Sequence, residues 1–198
     1  SRSRVRTGWR KDGTLLAQDI DFLIDGGAYM TLSPVVLSRG GLHAAGPYFC
    51  PNVRVRACAV ATNAPPHGAF RGFGAPQSVF AFERHLDEVA TRLGLSPDEI
   101  RRRNFVRDGQ TLSTGQIVRD HVDLDVLLGR AMRLADFSRK RRDFEKSNRD
   151  AAQSGSPLRR GIGLAAFMHG CGFTGSGERM LSSVVAVDAG IDDDGVWR

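Results

Sequence analysis

Residues 62–74 carry the side chains whose types and spacing are best suited to chemistry. The segment Thr62-Asn-Ala-Pro-Pro-His-Gly-Ala-Phe-Arg-Gly-Phe-Gly74 places Arg71 between Phe70 and Phe73 in a glycine-broken turn. A guanidinium is a planar fork of charged N–H donors, and two aromatic rings can wall a small ligand. The sequence therefore predicts an anion site at Arg71, with Phe70 and Phe73 beside the ligand.

A helix is predicted directly after this turn, beginning at Pro76 and running to Leu93. Proline suits the first helical position because no hydrogen-bond donor is needed there. The free N–H groups and partial positive charge of a helix N-terminus favour anions. Gly68, Gly72 and Gly74 allow backbone conformations closed to other residues and a close approach to a ligand. The turn and the helix together are therefore expected to form the site.

Arg39 is a second candidate cation, within a short helix predicted over Ser33–His43. Most arginines of this kind are surface residues or belong to structural ion pairs. The adjacent Gly40 and Gly41 leave space for a ligand, which keeps Arg39 a candidate binding residue.

A glycine-rich segment, Gly170-Cys-Gly-Phe-Thr-Gly175, matches the dinucleotide-binding pattern and follows a predicted strand. Residues 180–188 downstream predict another strand rather than a helix, so no helix N-terminus is available for a pyrophosphate. The segment is therefore expected to be a loop that presents Phe173 and Thr174 at a pocket.

Histidine and cysteine residues show no metal-binding spacing and no disulfide framework. The residues are His43, His67, His85, His121, His169, Cys50, Cys58 and Cys171. Unpaired cysteines favour a reducing, cytoplasmic setting. No apolar run approaches the roughly 20 residues that span a bilayer, so no membrane partner is predicted.

Alternating hydrophobic patterns predict strands, which are expected at Val5–Trp9, Leu15–Ile24 and Asn52–Ala61. Helical periodicity and capping signals predict further helices over 97–104, 123–135 and 137–153. The side chains expected in the core are Val79, Phe80, Phe82, Leu86, Val89 and Leu93 on the first long helix, and Val126, Leu127, Met132 and Leu134 on a later one. Strands and helices in this order predict an α+β fold.

The best internal boundary is Ser154-Gly-Ser-Pro157, which separates residues 1–153 from residues 154–198. The second part holds predicted strands at Gly161–Met168 and Met180–Asp188. The chain starts without methionine and stops inside a predicted hairpin, so it is expected to be part of a longer protein.

Net charge is +6, and the arginines cluster in two runs, Arg101–Arg103 and Arg139–Arg142. A basic module that binds nucleic acid or another anion is one hypothesis. Solvated helix faces, or contacts to a missing partner, are the other explanation, since no aromatic strand face accompanies the runs. Pairs of Asp and Glu residues are expected on helix surfaces, and none forms an evident acid–base dyad.

Beyond these patterns, Thr62–Pro65 and Ala69–Gln77 resemble the xanthine dehydrogenase and aldehyde oxidase family of molybdenum hydroxylases. The resemblance is to its molybdopterin-binding catalytic subunit or domain. It continues through Glu83 to Ala90, through Leu95–Asn104, at Arg159–Gly163 and at Gly172–Glu178. The resemblance implies the α+β fold of that domain.

The resemblance also implies hydroxylation of a heterocycle or an aldehyde, with water as the oxygen source. A molybdenum–molybdopterin cofactor carries the oxo or hydroxo, sulfido and dithiolene groups. The protein orients and polarises the reacting groups. Iron–sulfur clusters and FAD are expected on other domains or subunits of an oligomer, and the substrate would be a purine-like heterocycle or an aldehyde. Other members of the family act on carbon monoxide or an aromatic thioester, so these substrates stay open.

Carried over by position, Phe70 and Arg71 resemble cofactor-binding loop residues, with Arg71 near molybdenum through the loop backbone. Phe73 and Phe173 resemble the two rings that sandwich a planar substrate, and Thr174 resembles the adjacent polar contact. All five residues lie within motifs that carry the resemblance.

Arg39 lies 32 residues before Arg71, which is the separation that the family uses for a substrate-orienting arginine. Such an arginine would be catalytic, because it stabilises negative charge that develops on the substrate. The flanking Ser38 and Gly40 depart from the family pattern. The family's other cofactor loops and its general-base glutamate are not found here, so these 198 residues are expected neither to hold the cofactor nor to turn over alone.

Overall fold

The structure, a computed structural model, describes residues 1–169, which form a three-stranded mixed sheet and five helices. Predictions that concern residues 170–198 lie outside the described part. The α+β fold class is confirmed. In chain order the elements are β1 (Arg2–Trp9), β2 (Leu15–Gly27), α1 (Ser33–His43), β3 (Val53–Ala61), α2 (Ala75–Leu93), α3 (Pro97–Asn104), α4 (Leu124–Ala135) and α5 (Phe137–Gln153).

The sheet has the order β1-β2-β3, with β1 antiparallel and β3 parallel to the central β2. The predicted end of the second strand at Ile24 is wrong, since β2 continues to Gly27. Parallel pairing with β3 extends β2 beyond Ile24, because Asp25 lies opposite Val60 and Gly27 lies opposite Ala61. Both strands therefore end at the same edge of the sheet, where the chain enters the loop at 62–74.

One face of the sheet is covered by helices, and the other carries charges. Ile20, Phe22 and Ile24 of β2 are buried at 2%, 1% and 6% exposure. The alternate residue Asp19 accepts hydrogen bonds from Arg6 at 2.5 Å and from Arg54 at 2.7 Å across both neighbouring strands. This alternation follows from the two-residue period of a strand.

Helix α1 approaches the sheet so closely that a Cβ atom on Gly40 would lie 2.2 Å from the Phe22 ring. Only glycine fits at this contact, because real Cβ atoms do not come so near another heavy atom. The Phe22 ring therefore sets how close α1 can lie to the sheet.

Helix α2 buries Phe82 and Leu86, as the apolar pattern predicts, at 1% and 0% exposure. The predicted burial of Phe80 is wrong, since its side chain is 69% exposed. Residues two positions apart in a helix are separated by about 200° around its axis. Phe80 therefore points away from the core when Phe82 points inward. Val79, Val89 and Leu93 lie at the margins of the stripe and are half-buried.

The predicted buried face of helix α4 is also largely wrong. Val126, Leu127 and Leu134, predicted to face inward, are 60%, 58% and 81% exposed. The inner face instead consists of Leu124, Leu128 and Met132, spaced four residues apart and packed on the main core. Of the predicted set only Met132 belongs to this face.

Capping places helices α3 and α4 as the sequence predicts. Ser96 and Glu99 form a reciprocal capping box at the start of α3, and the Asp123 carboxylate accepts from the Val126 N–H at 2.9 Å. At the end of α3 the buried Asn104 donates to the Gly13 carbonyl at 2.8 Å and accepts from the Leu15 N–H at 2.8 Å. The helix thereby fixes the β1–β2 hairpin.

The predicted strand at Gly161–Met168 is wrong, because the segment pairs with no strand among the described residues. It runs past α5 and α2 with alternate residues half-buried, and side chains rather than a neighbouring strand hold it. Asn148 of α5 both donates to the Arg160 carbonyl, at 2.7 Å, and accepts from the Arg160 N–H, at 2.8 Å.

Cys50 is buried and Cys58 is exposed, and both are free thiols. Within residues 1–169, none of the helices combines the length and the apolar character needed to cross a membrane.

Candidate functional site

The loop at 62–74 lies against the carboxyl ends of β2 and β3. The Ala28 N–H donates to the Ala64 carbonyl at 2.9 Å, and the His67 N–H donates to the Gly26 carbonyl at 3.2 Å. A Cβ atom on Gly27, whose φ is +77°, would lie 2.4 Å from the Pro65 carbonyl oxygen. The glycine therefore lets the Pro-Pro segment pack directly on the end of β2.

Asp25 fastens the entrance of this loop and was not singled out by sequence reasoning. Its carboxylate accepts from the Thr62 hydroxyl at 2.7 Å and from the Gly27 N–H at 2.9 Å, and it faces His67 Nε2 at 3.4 Å. The hydrogen bonds from Thr62 and Gly27 lower the pKa of Asp25 below its ordinary value. An aspartate two residues before a glycine at a strand end was the available signal.

The turn at 70–74 contains three consecutive residues with left-handed backbone. Gly72, Phe73 and Gly74 have φ values of +96°, +47° and +89°. Such a conformation costs a non-glycine residue on the order of 1–3 kcal/mol, and here only Phe73 bears that cost. The predicted need for glycine is met at positions 72 and 74, whereas Gly68 has no positive φ and open space around it.

Gly74 also brings the turn against α1. A Cβ atom at this position would lie 2.2 Å from the Val36 carbonyl oxygen. Val36 is three residues before Arg39, so the helix that carries Arg39 lies directly against the turn that carries Arg71. The structure thus brings together the elements of both candidate cations.

Hydrogen-bond donors collect at this turn. Among the described residues, the backbone N–H groups of residues 68–72 have no hydrogen-bond partner. Helix α2 begins at Ala75, and no described side chain caps it. Arg71 is exposed beside these groups. Free N–H groups, a helix N-terminus and a guanidinium are suited to a ligand of negative charge.

The two phenylalanines of the turn have different surroundings. Phe70 is 85% exposed, so its ring is open to a ligand or to another part of the protein. Phe73 is half-buried and packs against the small cluster formed by Phe22, Ile24 and Val36. Part of the Phe73 ring is therefore held by the core.

Arg39 is buried at 6% exposure in the middle of α1. Its carbonyl accepts a hydrogen bond of 2.8 Å from Nδ1 of His43, one turn later. The His43 ring stacks on His169, with ring centroids 5.3 Å apart. Burial lowers the pKa of His43, which favours the neutral imidazole.

The predicted substrate residues Phe173 and Thr174 lie outside the described residues, as does the pattern Gly170–Gly175. His169 immediately precedes that pattern. The stacking of His169 on His43 therefore gives the last described position of the chain, at the end of α1.

A buried ionic network on α2 was missed by the sequence analysis. Glu83 and Arg101 are 5% and 0% exposed. Arg101 Nε donates to Glu83 Oε2 at 2.8 Å and its Nη1 donates to Asp87 at 2.9 Å, while the Tyr48 hydroxyl donates to Glu83 Oε1 at 2.5 Å. The explanation of the run Arg101–Arg103 as a solvated helix face is therefore wrong for Arg101.

Arg101 and Tyr48 of this network have shifted pKa values. Burial alone would lower the pKa of Arg101, but Glu83 and its neighbours outweigh burial and raise it. Burial and the adjacent Glu83 raise the pKa of Tyr48 well above its ordinary value, so the phenol stays a donor. Glu83 falls on the same stripe of α2 as Leu86 and Ala90, and a carboxylate on a core stripe was the available signal.

The remaining arginines of the two basic runs lie nearer the surface, and Arg102, Arg103, Arg139 and Arg141 pair with acids of the same chain. Arg102 contacts Asp98 and Asp125, and Arg139 contacts Asp136 and Asp143. In the described part of the chain, no group of three or more histidine, cysteine or carboxylate side chains could hold a metal ion.

Comparison with known proteins identifies the family. A family model described as molybdopterin cofactor-binding domain matches residues 1–105. The nicotinate dehydrogenase large molybdopterin subunit of Eubacterium barkeri is 43% identical over 126 residues, which are 64% of this chain and 30% of that protein. The xanthine dehydrogenase molybdenum-binding subunit of Escherichia coli O157:H7 is 36% identical over 175 residues, covering 82% of this chain and 21% of that protein.

Solved structures agree. Aldehyde oxidoreductase from Desulfovibrio gigas superposes with a TM-score of 0.65 at 36% identity, covering 73% of this chain and 16% of that one. Quinoline 2-oxidoreductase from Pseudomonas putida 86 gives a TM-score of 0.60 at 31% identity, covering 74% and 20%. The chain belongs to the molybdopterin cofactor-binding domain family of molybdenum hydroxylases. It spans less than a third of the length of the curated relatives described above.

Proposed function

We propose that the chain is part of the catalytic subunit of a molybdenum hydroxylase that oxidatively hydroxylates a heterocycle or an aldehyde with water as the oxygen source. The observation that carries this proposal is the turn at 70–74. It presents free N–H groups and Arg71 at the N-terminus of α2, in a domain of the matching family.

The residues of this turn fit a molybdenum–molybdopterin group. That cofactor is anionic, and backbone N–H donors with a helix N-terminus suit an anion. Phe70 and Arg71 would hold it, through the loop backbone and the Arg71 guanidinium. When bound, the cofactor supplies the redox and oxygen-transfer chemistry, while the protein binds, orients and excludes water.

Substrate recognition is assigned to Arg39, Phe73, Phe173 and Thr174. Arg39 would stabilise negative charge on the reacting heterocycle from its buried position on α1, where low polarity strengthens such an interaction. Phe73 is half-buried, and the exposed part of its ring would face one side of a planar substrate. Phe173 would face the other side. This supports a purine-like substrate over a simple aldehyde.

Iron–sulfur clusters and FAD are proposed to reside on other domains or subunits of an oligomer, since the cofactor must pass on its electrons. The free thiols of Cys50 and Cys58 support a cytoplasmic location. Residues 154–157 are proposed as the limit between residues 1–153 and the segment that carries the substrate loop.

Alternatives within the same class are a substrate that is an aldehyde, carbon monoxide or an aromatic thioester. Relatives named for nicotinate, xanthine, quinoline and aldehyde occur at 31–43% identity, so identity alone favours none of them. The hypothesis of another class, a basic anion- or nucleic-acid-binding module, is opposed by the ion pairing of the basic runs.

The test is to purify the full-length protein and measure molybdenum and pterin content together with oxidation of purines and aldehydes. Stoichiometric cofactor with turnover is expected, and a folded protein without molybdenum or pterin would refute the proposal. Gly74→Ala should lower molybdenum content, because its Cβ would collide with Val36. Gly161→Ala is the matched control, since no atom lies within 4 Å of the added Cβ.

A further inference from the structure

Glu83 has a role that extends beyond the pairing of Arg101. Its Oε2 atom accepts a second hydrogen bond, of 2.9 Å, from the backbone N–H of Ala166. Ala166 is 83 residues away in sequence and lies in the extended segment at 161–169, which has no regular secondary structure. A buried carboxylate of α2 is thus bonded directly to the backbone of this segment.

The segment has few other fixed points. Its upstream end is held by the two hydrogen bonds between Asn148 and Arg160. Leu164 and Ala166 pack on the main core, and His169 stacks on His43. Among its described residues 161–168, the bond to Glu83 is the backbone hydrogen bond that fixes the segment in register, since apolar packing is not directional.

Rigidity at the other end of this bond makes it effective. Both oxygens of Glu83 are engaged, by Tyr48 on one side and by Arg101 on the other. Glu83 also lies on α2, whose first residue follows the turn that carries Arg71 and Phe73. One helix therefore holds the Arg71 turn at its N-terminus and the 161–169 segment further along.

We propose that Glu83 is a positioning residue: its carboxylate fixes the Ala166 backbone, and thereby the course of the segment at 161–169. In sequence this segment directly precedes the residues Phe173 and Thr174 that the proposed function assigns to the substrate. The substrate part of this inference rests on the proposed function. Through α2, the bond links the segment at 161–169 to the turn that carries Arg71 and Phe73.

The test uses the full-length holoenzyme and removes the donor while leaving Glu83 intact. Ala166→Pro deletes the N–H. Ala165→Pro is the matched control, because Ala165 is exposed and its N–H donates to no described residue. Ala166→Pro should raise KM for the heterocyclic substrate by about 10-fold or more, with kcat and molybdenum content changed by less than about 2-fold. The control should match wild type.

Amide hydrogen exchange gives a readout that needs no activity. In the wild-type protein the Ala166 amide should exchange slowly, and Ala166→Pro should accelerate exchange across residues 164–169, including when the variant loads poorly with cofactor. Fast exchange at Ala166 in wild type, or equal KM values for the two proline variants, would overturn the proposal. A protein without hydroxylase activity would refute the proposed function, while the exchange result would still decide the role of Glu83.

Discussion

Arg39, proposed above to contact the substrate, is a buried side chain beside the Arg71 turn. It lies at 6% exposure on a helix that packs against the Arg71 turn, so a charge that develops on a bound heterocycle would meet it in a medium of low polarity. A simple aldehyde has no heterocyclic ring over which charge can spread, so it gains less from such a contact. The position of Arg39 therefore leads to a comparison between two substrates.

We expect Arg39→Met in the full-length enzyme to lower kcat/KM for a purine-like heterocycle by about 10²–10³-fold, and for a simple aldehyde much less. Methionine retains much of the buried volume, and molybdenum content measured in parallel shows whether the site is intact. Steady-state kinetics with both substrates decide the question. Equal losses on both would show that Arg39 does not orient the substrate.

At this scale the sequence located the Arg71 turn but not the Glu83 network. The turn is local, and glycines at positions 72 and 74 mark its unusual backbone. The partners of Glu83 lie 35, 18 and 83 residues away, at Tyr48, Arg101 and Ala166. Such pairing depends on tertiary contacts, which a local pattern does not contain.

At the scale of elements, the sequence predicted where helices lie better than which face they bury. Caps and glycines mark helix ends, so α1, α3, α4 and α5 begin and end close to the predicted residues. The inward face depends on the surface against which a helix packs. Neighbouring residues differ by about 100° around the axis, so a choice between adjacent leucines reverses the prediction.

Substitutions at Leu127 and Leu128 test directly which face of α4 is buried. Leu128→Ala should destabilise the protein by about 2–5 kcal/mol because it leaves a cavity in the core, whereas Leu127→Ala should change the free energy of unfolding by less than about 0.5 kcal/mol. The two substitutions are chemically identical, and urea unfolding of both variants makes the comparison. A larger loss at Leu127 would contradict the described orientation of α4.

The contact between His121 and Asp108, both in the chain between α3 and α4, should depend on pH. His121 and Asp108 form a 2.7 Å contact, which raises the pKa of His121 above 6.5 and lowers that of Asp108 below 3.8. A raised histidine pKa stabilises the folded state fully below the unfolded value, and the contribution is lost as pH rises through the folded value. The contact should therefore stabilise the protein in mildly acidic solution.

His121→Asn should accordingly lower the melting temperature at about pH 6 and leave the melting temperature unchanged at about pH 9. Both side chains are largely exposed, so the difference should be small and should shrink in high salt. Thermal unfolding at the two pH values in low and high salt measures it. The same loss at both pH values would exclude a charged pair.

At the scale of the whole molecule, net charge alone is a poor guide to partners. The chain carries +6, yet most arginines of the basic runs form ion pairs within the chain, and Arg101 is fully buried. Composition reports the excess of basic residues but not their pairing. The fold class and family, in contrast, could be predicted from short motifs, because those motifs include the sequence of the 62–74 loop and the start of α2.

A mobility-shift assay with duplex DNA separates the two classes of function. We expect no binding tighter than about 10 µM near physiological salt, since paired arginines release few counterions. The purified full-length protein is titrated at two salt concentrations, with a lysine-rich protein as positive control. A tight complex that weakens steeply with salt would instead favour a nucleic-acid-binding module.

The contact between Gly40 and Phe22 has an evolutionary consequence. A side chain at position 40 would meet the Phe22 ring at 2.2 Å, and Arg39 is the adjacent residue of α1. A larger residue at 40 is therefore compatible with this domain only when the ring at 22 shrinks or α1 lifts, which moves Arg39. Across homologous sequences, positions 22 and 40 should covary in volume, and substrate preference should follow that covariation although neither residue need touch the substrate.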